Sequence, residues 1–388
     1  MDRTKLRWNG WGPGPDALAE RAEVWTWLAG ELGMPALLAT PSRALEDVAL
    51  APPRLSTGSR AALVDILGEG QLRQDAGERI GHALGRSYQN LLRLRGGDIA
   101  LTPDAVLYPR NTDEVLAVLR YASMDGIAVI PHGGGASMDG GVDVVRGEFA
   151  SAVSVDLSEM DRFLDIDTMA GIAVAETGIG GPALEKNLAL RGFTLGHRPD
   201  SFEFSTLGGW IAEDGAGQEA NHYGRARDWL AGVTLATPEG LLRLADSSAP
   251  DLKALVTGSR GGLGIITRAT IRVRPLPARS EFHAWLFSDF AAGIVALHAA
   301  ARAEIPNLML RLSDAGDTRF RRNFPRAEKW RGLKDRLRDR YLGLRRMNGQ
   351  AALLIAGFSG NEKDIAAARD NFAALAKRLG ALSLGEEQ

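Results

Sequence analysis

The sequence predicts an α+β protein organised around a cofactor-binding domain, and three observations predict it. Short apolar runs bounded by glycine or proline alternate with stretches of helical apolar spacing. Three glycine-bearing loops each adjoin such a run: Pro131-His-Gly-Gly-Gly-Ala-Ser-Met138, Asp200-Ser-Phe-Glu-Phe-Ser-Thr-Leu-Gly-Gly209 and Gly258-Ser-Arg-Gly-Gly-Leu-Gly264. Consecutive amides that no Cβ shields form a concave, electropositive nest, so three such surfaces in one chain point to a large anionic dinucleotide. The 388 residues are 45% hydrophobic and 24% charged, an ordinary globular balance with length for two or three domains.

The elements follow in order. Residues 1–98 read as a helical N-terminal region: Pro15 to Ala29 has helical apolar spacing, Gly33 and Pro35 end it, and Gly96-Gly97 marks a boundary. Ala105–Tyr108 reads as a strand. Asn111-Thr-Asp-Glu then starts a helix whose apolar face is Val115, Leu116, Val118 and Leu119. Gly126 turns the chain into the strand Ile127–Ile130, which delivers the first glycine loop, and Ala152–Val155 is the next strand. Ile172–Glu176 is a strand and Pro182–Leu190 a helix stopped by Gly192. Val233–Thr237 and Thr267–Arg274 alternate as strands, the second with Ala269, Ile271 and Val273 on one face. Pro275 and Pro277 close a domain spanning 99–278. In 279–388, Phe282–Phe287 and Leu308–Leu312 flank a helix. Ala352–Phe358 is a further strand, Ile365–Leu379 a helix, and the residues after Gly380 begin another strand.

Composition excludes several function classes. There are no cysteines, hence no disulfide, thiolate metal site or cysteine nucleophile. The six histidines have no metal-type spacing, so no metal is expected. No signal peptide or membrane-length apolar run is found, and a cytoplasmic protein is expected. From Arg319 to Arg346, ten Arg and two Lys stand against Glu328, Asp335 and Asp339, a local +9 within a chain of net −2. Trp330, Leu333, Leu337, Tyr341 and Leu344 form an apolar stripe there. A basic amphipathic helix fits either peripheral membrane contact or packing on the domain. Charge this local argues against nucleic acid.

Two strings invite other chemistry. His132 suggests catalysis or flavin attachment, but a histidine beside a glycine turn is more often a hydrogen-bonding loop residue. Gly178-Ile-Gly-Gly-Pro-Ala183 formally fits a dinucleotide fingerprint, which would suggest NAD. Pro182 removes an amide donor there and Glu176 adds a negative charge, so FAD is favoured over NAD.

The chain resembles the alkyldihydroxyacetonephosphate synthase (alkylglycerone-phosphate synthase) family of the vanillyl-alcohol-oxidase-type flavoproteins. The resemblance rests on the three loops, Arg7-Trp-Asn-Gly-Trp-Gly12, His197-x-Pro-Asp-Ser and Arg311-Leu-Ser-Asp314. It implies a two-subdomain FAD-binding domain and an incomplete α+β, ferredoxin-like cap at 279–388. It also implies FAD contacts at Pro131, His132, Gly133, Gly134, Gly135, Ala136, Ser137 and Met138, and at Asp200, Ser201, Phe202, Glu203, Phe204, Ser205 and Thr206. Further implied contacts are Glu213, Asp214, Gly215, Ala216, Arg260, Gly261, Gly262, Leu263, Gly264, Ile265 and Ile266. The implied reaction replaces the acyl group of acyl-dihydroxyacetone phosphate with a fatty alcohol, without net redox change, in ether lipid synthesis. Arg311 is the implied cation for the substrate phosphate. The implied partners are a lipid-like phosphate ester and a fatty alcohol, and a homodimer is a compatible assembly.

The chain also departs from the family. Arg260 and Gly262 interrupt the usual Gly-Ser-Glu-Gly-Thr-Leu-Gly, and Glu213-Asp-Gly-Ala216 replaces a Thr-Arg-Ala-Ser-like stretch. Two carboxylates near a diphosphate would repel it unless a cation such as Arg260 offsets them. The family's catalytic tyrosine and histidines are expected beyond Gln388. An FAD-linked 2-hydroxy-acid dehydrogenase, or a flavin-binding remnant without turnover, are the alternative expectations.

Overall fold

A computed structural model describes residues 6–14, 21–37, 41–245, 251–325, 347 and 349–386. The chain divides into two compact units: Met1–Pro15, Thr40–Gln218 and Gly224–Leu276 form the first, and Asp16–Ala39, Glu219–Tyr223 and Pro277–Gln388 the second.

In the first unit, β1 (Leu72–Arg73), β2 (Ala105–Leu107), β3 (Ile127–His132) and β4 (Ser151–Asp156) form a sheet in the order β1-β2-β4-β3. β2, β4 and β3 are parallel, because the helix Thr112–Asp125 carries the chain from β2 across to β3. Asn111 caps that helix by accepting from the Glu114 amide (2.9 Å), and Gly126 ends it in the left-handed conformation. Its buried face, Val115, Val118, Leu119 and Ala122, packs with Leu63 and Leu67 of the helix Thr57–Leu67 and with Val153 and Val155. β4 is buried along its whole length, as a strand between parallel neighbours must be.

A second sheet is antiparallel throughout. It contains β5 (Phe163–Asp167), β6 (Ile172–Glu176), β8 (Leu230–Thr237), β9 (Gly240–Ala245) and β10 (Ile265–Arg272) in the order β5-β6-β10-β8-β9. β7 (Phe193–Thr194) and β11 (Arg274–Pro275) pair apart from it. Ala269 and Ile271 of β10 are buried while Arg268 and Arg272 are exposed, the alternation a one-sided core requires. Leu184 and Leu188 of the helix Gly181–Ala189, and Ile211 of the helix Leu207–Ala212, close that core.

The N-terminal 98 residues are not a body of their own. Each part finds its apolar and polar partners in a different unit. β1 pairs antiparallel with β2, and buried Arg79 donates to the carbonyls of Pro103 (2.8 Å) and Ala51 (3.0 Å). Buried Asp104 accepts from the amides of Arg54 (2.8 Å) and Ala152 (2.8 Å), tying residues 41–98 to the first sheet. The helix Ala22–Glu31 belongs to the second unit, where Trp27 packs edge-on against Phe320 and Phe324 at 5.0 and 5.5 Å.

In the second unit, β12 (Arg279–Phe287), β13 (Met309–Leu312), β14 (Ala352–Gly360) and β15 (Leu382–Glu386) form an antiparallel sheet in the order β13-β14-β12-β15. With the helices Phe290–Arg302 and Glu362–Arg378 this is the β-α-β-β-α-β ferredoxin-like arrangement. Phe287, Phe358 and Phe372 fill its core. Of the basic stretch 319–346, residues 319–323 lie in the helix Ala315–Asn323, and 326–346 lie outside the described residues. Among the described residues no helix is long and apolar enough to cross a membrane.

Asp104→Ala leaves the amides of Arg54 and Ala152 without their buried acceptor. The expected loss is about 2–4 kcal/mol of unfolding free energy, with Asp104→Asn losing less. Urea unfolding of the three proteins measures it.

Candidate functional site

The first glycine loop continues β3, the second precedes the helix Leu207–Ala212, and the third leads into β10. The helix starts where Thr206 caps it by accepting from the Gly209 amide (3.4 Å). The glycines then let the loops touch. Gly134 lies so close to the Phe204 carbonyl that no Cβ fits between them, and a Cβ on Gly133 would strike Thr206 Oγ1. Gly261, in the left-handed region at φ +80, sits where a Cβ would lie 2.8 Å from Pro131 Cγ. Loops separated by up to 130 residues in sequence therefore form one wall.

That wall encloses a cavity of about 420 Å³ within the first unit. All of 131–138 line it, joined by Ser201, Ser205, Thr206, Glu213, Gly215, Arg260, Gly261, Gly264, Ile265 and Ile266. Eight of the expected contacts do not line it. Asp200 accepts from Gln218, and Phe202 stacks on Trp210 with centroids 6.2 Å apart. Phe204 packs on Trp11 at 6.1 Å, and Glu203, Gly262 and Leu263 face solvent. Asp214 is buried against Arg225 (3.2 Å) and Arg227, and Ala216 bridges to Arg225. Asp200, Phe202, Phe204, Asp214 and Ala216 thus shape the loops through packing and pairing, for which the motif signal is the same as for lining.

Among the described residues, no acceptor takes a hydrogen bond from the amides of Gly133 through Met138. Six consecutive uncommitted donors on a cavity wall make an anion nest of the size a diphosphate needs. Apolar walls at Pro131, Val142, Leu157, Ile265 and Ile266 suit flat rings. The residues present therefore fit a bound FAD.

Arg260 answers the charge question raised by the sequence. Its guanidinium pairs with Asp139 and reaches Glu213 Oε2 at 3.2 Å, and the Ser137 hydroxyl stands 2.9 and 3.2 Å from the same two carboxylates. Burial, then Asp139, push the Glu213 carboxyl above its usual value, while Arg260 opposes that shift. Asp214 contributes no charge to the cavity wall. Arg260 and Asp214 both adopt left-handed backbone, at φ 52 and 49, a conformation costly for non-glycine residues; their amides donate to the carbonyls of Ala212 (2.9 Å) and Ile211 (3.1 Å).

The other strings resolve into structural roles. A Cβ on Gly178 would strike the Leu157 carbonyl, and one on Gly181 the Phe202 carbonyl and ring, so these glycines serve close packing. Glu176 is fully buried and held by Arg162 at 2.7 and 3.0 Å. His132 is buried with Nδ1 3.4 Å from Asp156 Oδ2, and His82 Nε2 lies 2.8 Å from the same oxygen. These three residues form the one cluster of metal-binding side chains among the described residues. The 2.8 Å separation is a hydrogen bond, since two tetrahedral ligands at about 2.1 Å from one ion stand about 3.4 Å apart.

Sequence reasoning missed several lining residues, among them Asp139, Leu157, Thr177, Trp210 and His197. His197 is 1% exposed and packs between Trp210 and Trp229, at 4.7 and 5.4 Å. Burial pushes its pKa down to about 4. Its place at the head of His197-x-Pro-Asp-Ser, three residues before Asp200, was the available signal. Arg311 lies exposed on β13 of the second unit.

Residues 103–245 match the model of an FAD-binding domain family. The alkyldihydroxyacetonephosphate synthase of Trypanosoma brucei brucei is 37% identical over 275 residues, covering 70% of this chain and 45% of that protein. The Dictyostelium discoideum enzyme of the same name is 34% identical over 298 residues, covering 76% and 49%. The chain thus spans about half the length of these curated relatives. A solved structure of an alkyldihydroxyacetonephosphate synthase superposes with a TM-score of 0.88 at 30% identity, covering 100% of this chain and 75% of that one.

Gly134→Ala forces the first two loops apart. It is expected to cost at least about 2 kcal/mol of stability and to weaken FAD binding more than tenfold, measured by thermal unfolding and flavin titration. A second expectation concerns pH. His197 takes up a proton far less readily folded than unfolded, so its protonation imposes no penalty on folding above about pH 6.5 and stability is lost as pH falls toward 4. The effect is on the order of 3 kcal/mol. The melting temperature of the cofactor-free protein should fall across that window, and His197→Phe should flatten the fall.

Proposed function

The chain belongs to the alkyldihydroxyacetonephosphate synthase family, with FAD as its cofactor, and from that premise we propose that it exchanges the acyl group of an acyl-dihydroxyacetone phosphate for a fatty alcohol. The observation that carries this reading is a cavity lined by all three glycine loops, in which the amides of 133–138 have no acceptor among the described residues. The amides of 133–138 would hold the diphosphate, and the walls at Leu157, Ile265 and Ile266 would hold the rings and exclude water. Of the implied FAD contacts, the eighteen residues that line the cavity, such as Ser137, Thr206 and Ile266, are the proposed direct ones. Of the eight others, Asp200, Phe202, Phe204, Asp214 and Ala216 support them from behind. When bound, the flavin would supply the electron-accepting ring that substitution beside a carbonyl needs without net redox change.

Arg311 is the proposed cation for the substrate phosphate, because a guanidinium binds phosphate oxygens in pairs. It helps hold the Asp317 carboxyl below its usual value, after the Ser313 hydrogen bond and Arg321. The basic sequence 319–346 suits a fatty alcohol delivered from an anionic lipid surface.

The test is the flavin-loaded protein given acyl-dihydroxyacetone phosphate and a long-chain alcohol without an electron acceptor. Ether product and free fatty acid in equal amounts are the expected outcome, with Arg311→Ala lowering kcat/KM at least tenfold. Anaerobic bleaching by a 2-hydroxy acid, with no ether formed, would replace this reading with a dehydrogenase. Bound FAD with neither reaction would leave a cofactor-holding protein without turnover.

A further inference from the structure

We infer that His197 is a cofactor-binding residue, whose uncharged imidazole hydrogen-bonds to a neutral heterocyclic ring edge of FAD rather than to its diphosphate. The inference rests on the reading that the cavity of the first unit holds FAD.

Three features of the residue converge. The ring lines the cavity and is 1% exposed. Both ring nitrogens are buried without a hydrogen-bond partner in the protein. A neutral imidazole carries one N–H donor and one lone-pair acceptor, and each one buried unmet costs free energy. Trp210 and Trp229 flank the ring with their aromatic faces and edges and fix its plane. A hydrophobic residue of similar shape would fill the same slot without that cost, so the imidazole is a liability to folding alone.

The direction of the ring and its charge define the ligand. A Cβ on Gly215 would lie 3.4 Å from His197 Nε2 and 3.6 Å from Cε1, so the bare glycine leaves room beside that edge of the ring. Gly215 also lines the cavity. Burial holds the imidazole in its neutral form near pH 7, with a pKa of about 4. A neutral ring between Trp210 and Trp229 gives a phosphate none of the charge it seeks. The charged group and the free amides stand elsewhere on the wall, at Arg260 and 133–138. One uncharged donor or acceptor instead matches a single N–H, ring nitrogen or C=O at the edge of a fused heterocycle. FAD has two such rings, and the experiment separates them.

Wild type, His197→Phe, His197→Gln and His197→Asn are titrated with FAD, FMN and ADP by flavin fluorescence and calorimetry, and the cofactor-free proteins are melted. The expected result is an FAD affinity about tenfold weaker for His197→Phe, with partial recovery in Gln or Asn. The cofactor-free Phe variant should melt at or above the wild-type temperature, because the two unmet polar atoms are gone. A parallel loss for FMN with ADP unchanged assigns the isoalloxazine, and the reverse assigns the adenine. Unchanged FAD affinity in His197→Phe overturns the inference. So does a loss of affinity matched by a lower melting temperature of the cofactor-free protein in all three variants, which marks a packing residue. Absence of FAD binding by the wild type would instead overturn the underlying reading of the cavity.

Discussion

The approach of two backbones, Gly133–Gly134 against Phe204–Thr206, is the constraint on which the site depends. A carbonyl and a side-chain hydroxyl occupy the space a Cβ would take, so only glycine lets β3 deliver its loop to the start of the helix Leu207–Ala212. Once these two segments touch, the third loop closes the wall through Gly261 and Pro131. Residues 133–138 then line the cavity, and their amides have no acceptor among the described residues. The same glycines that weaken the chain entropically are what leave those donors available.

Charge is arranged around that wall by pairing. Asp139 and Glu213 would oppose an anionic ligand alone, and Arg260 holds both. Asp214, adjacent in sequence to Glu213, is turned to Arg225 and Arg227 instead. Two neighbouring carboxylates thus have opposite assignments, one facing the cavity and one anchoring the loop. A left-handed backbone at Asp214 allows the divergence. Three buried carboxylates elsewhere in the first unit are similarly committed: Glu176 to Arg162, Asp104 to two amides, Asp156 to His82 and Ser158. His197 differs from them in having both ring nitrogens unmet.

Much of the fold could be read from periodicity. The strand at 172–176, the alternation along β10, the capped helix after Asn111 and the ferredoxin-like strands of the second unit stand where apolar spacing and glycine stops placed them. Those signals are local, because a strand or helix declares its buried face within its own residues. The N-terminal region was legible as helices but not in its allegiance. Trp27 needs Phe320 and Phe324, and Arg79 needs Pro103, partners that no local pattern names.

For the site, sequence alone determined the cofactor class and the three segments that build its holder, because glycine content and loop position are properties of the chain itself. Tertiary structure decided which residues of those segments face inward. Phe202, Phe204 and Asp214 belong to the motifs yet turn to Trp210, Trp11 and the arginines, while Leu157, Thr177 and His197 reach the cavity. The physical reason is that inward direction depends on what packs behind each side chain. Those neighbours lie tens of residues away, and only folding brings them together.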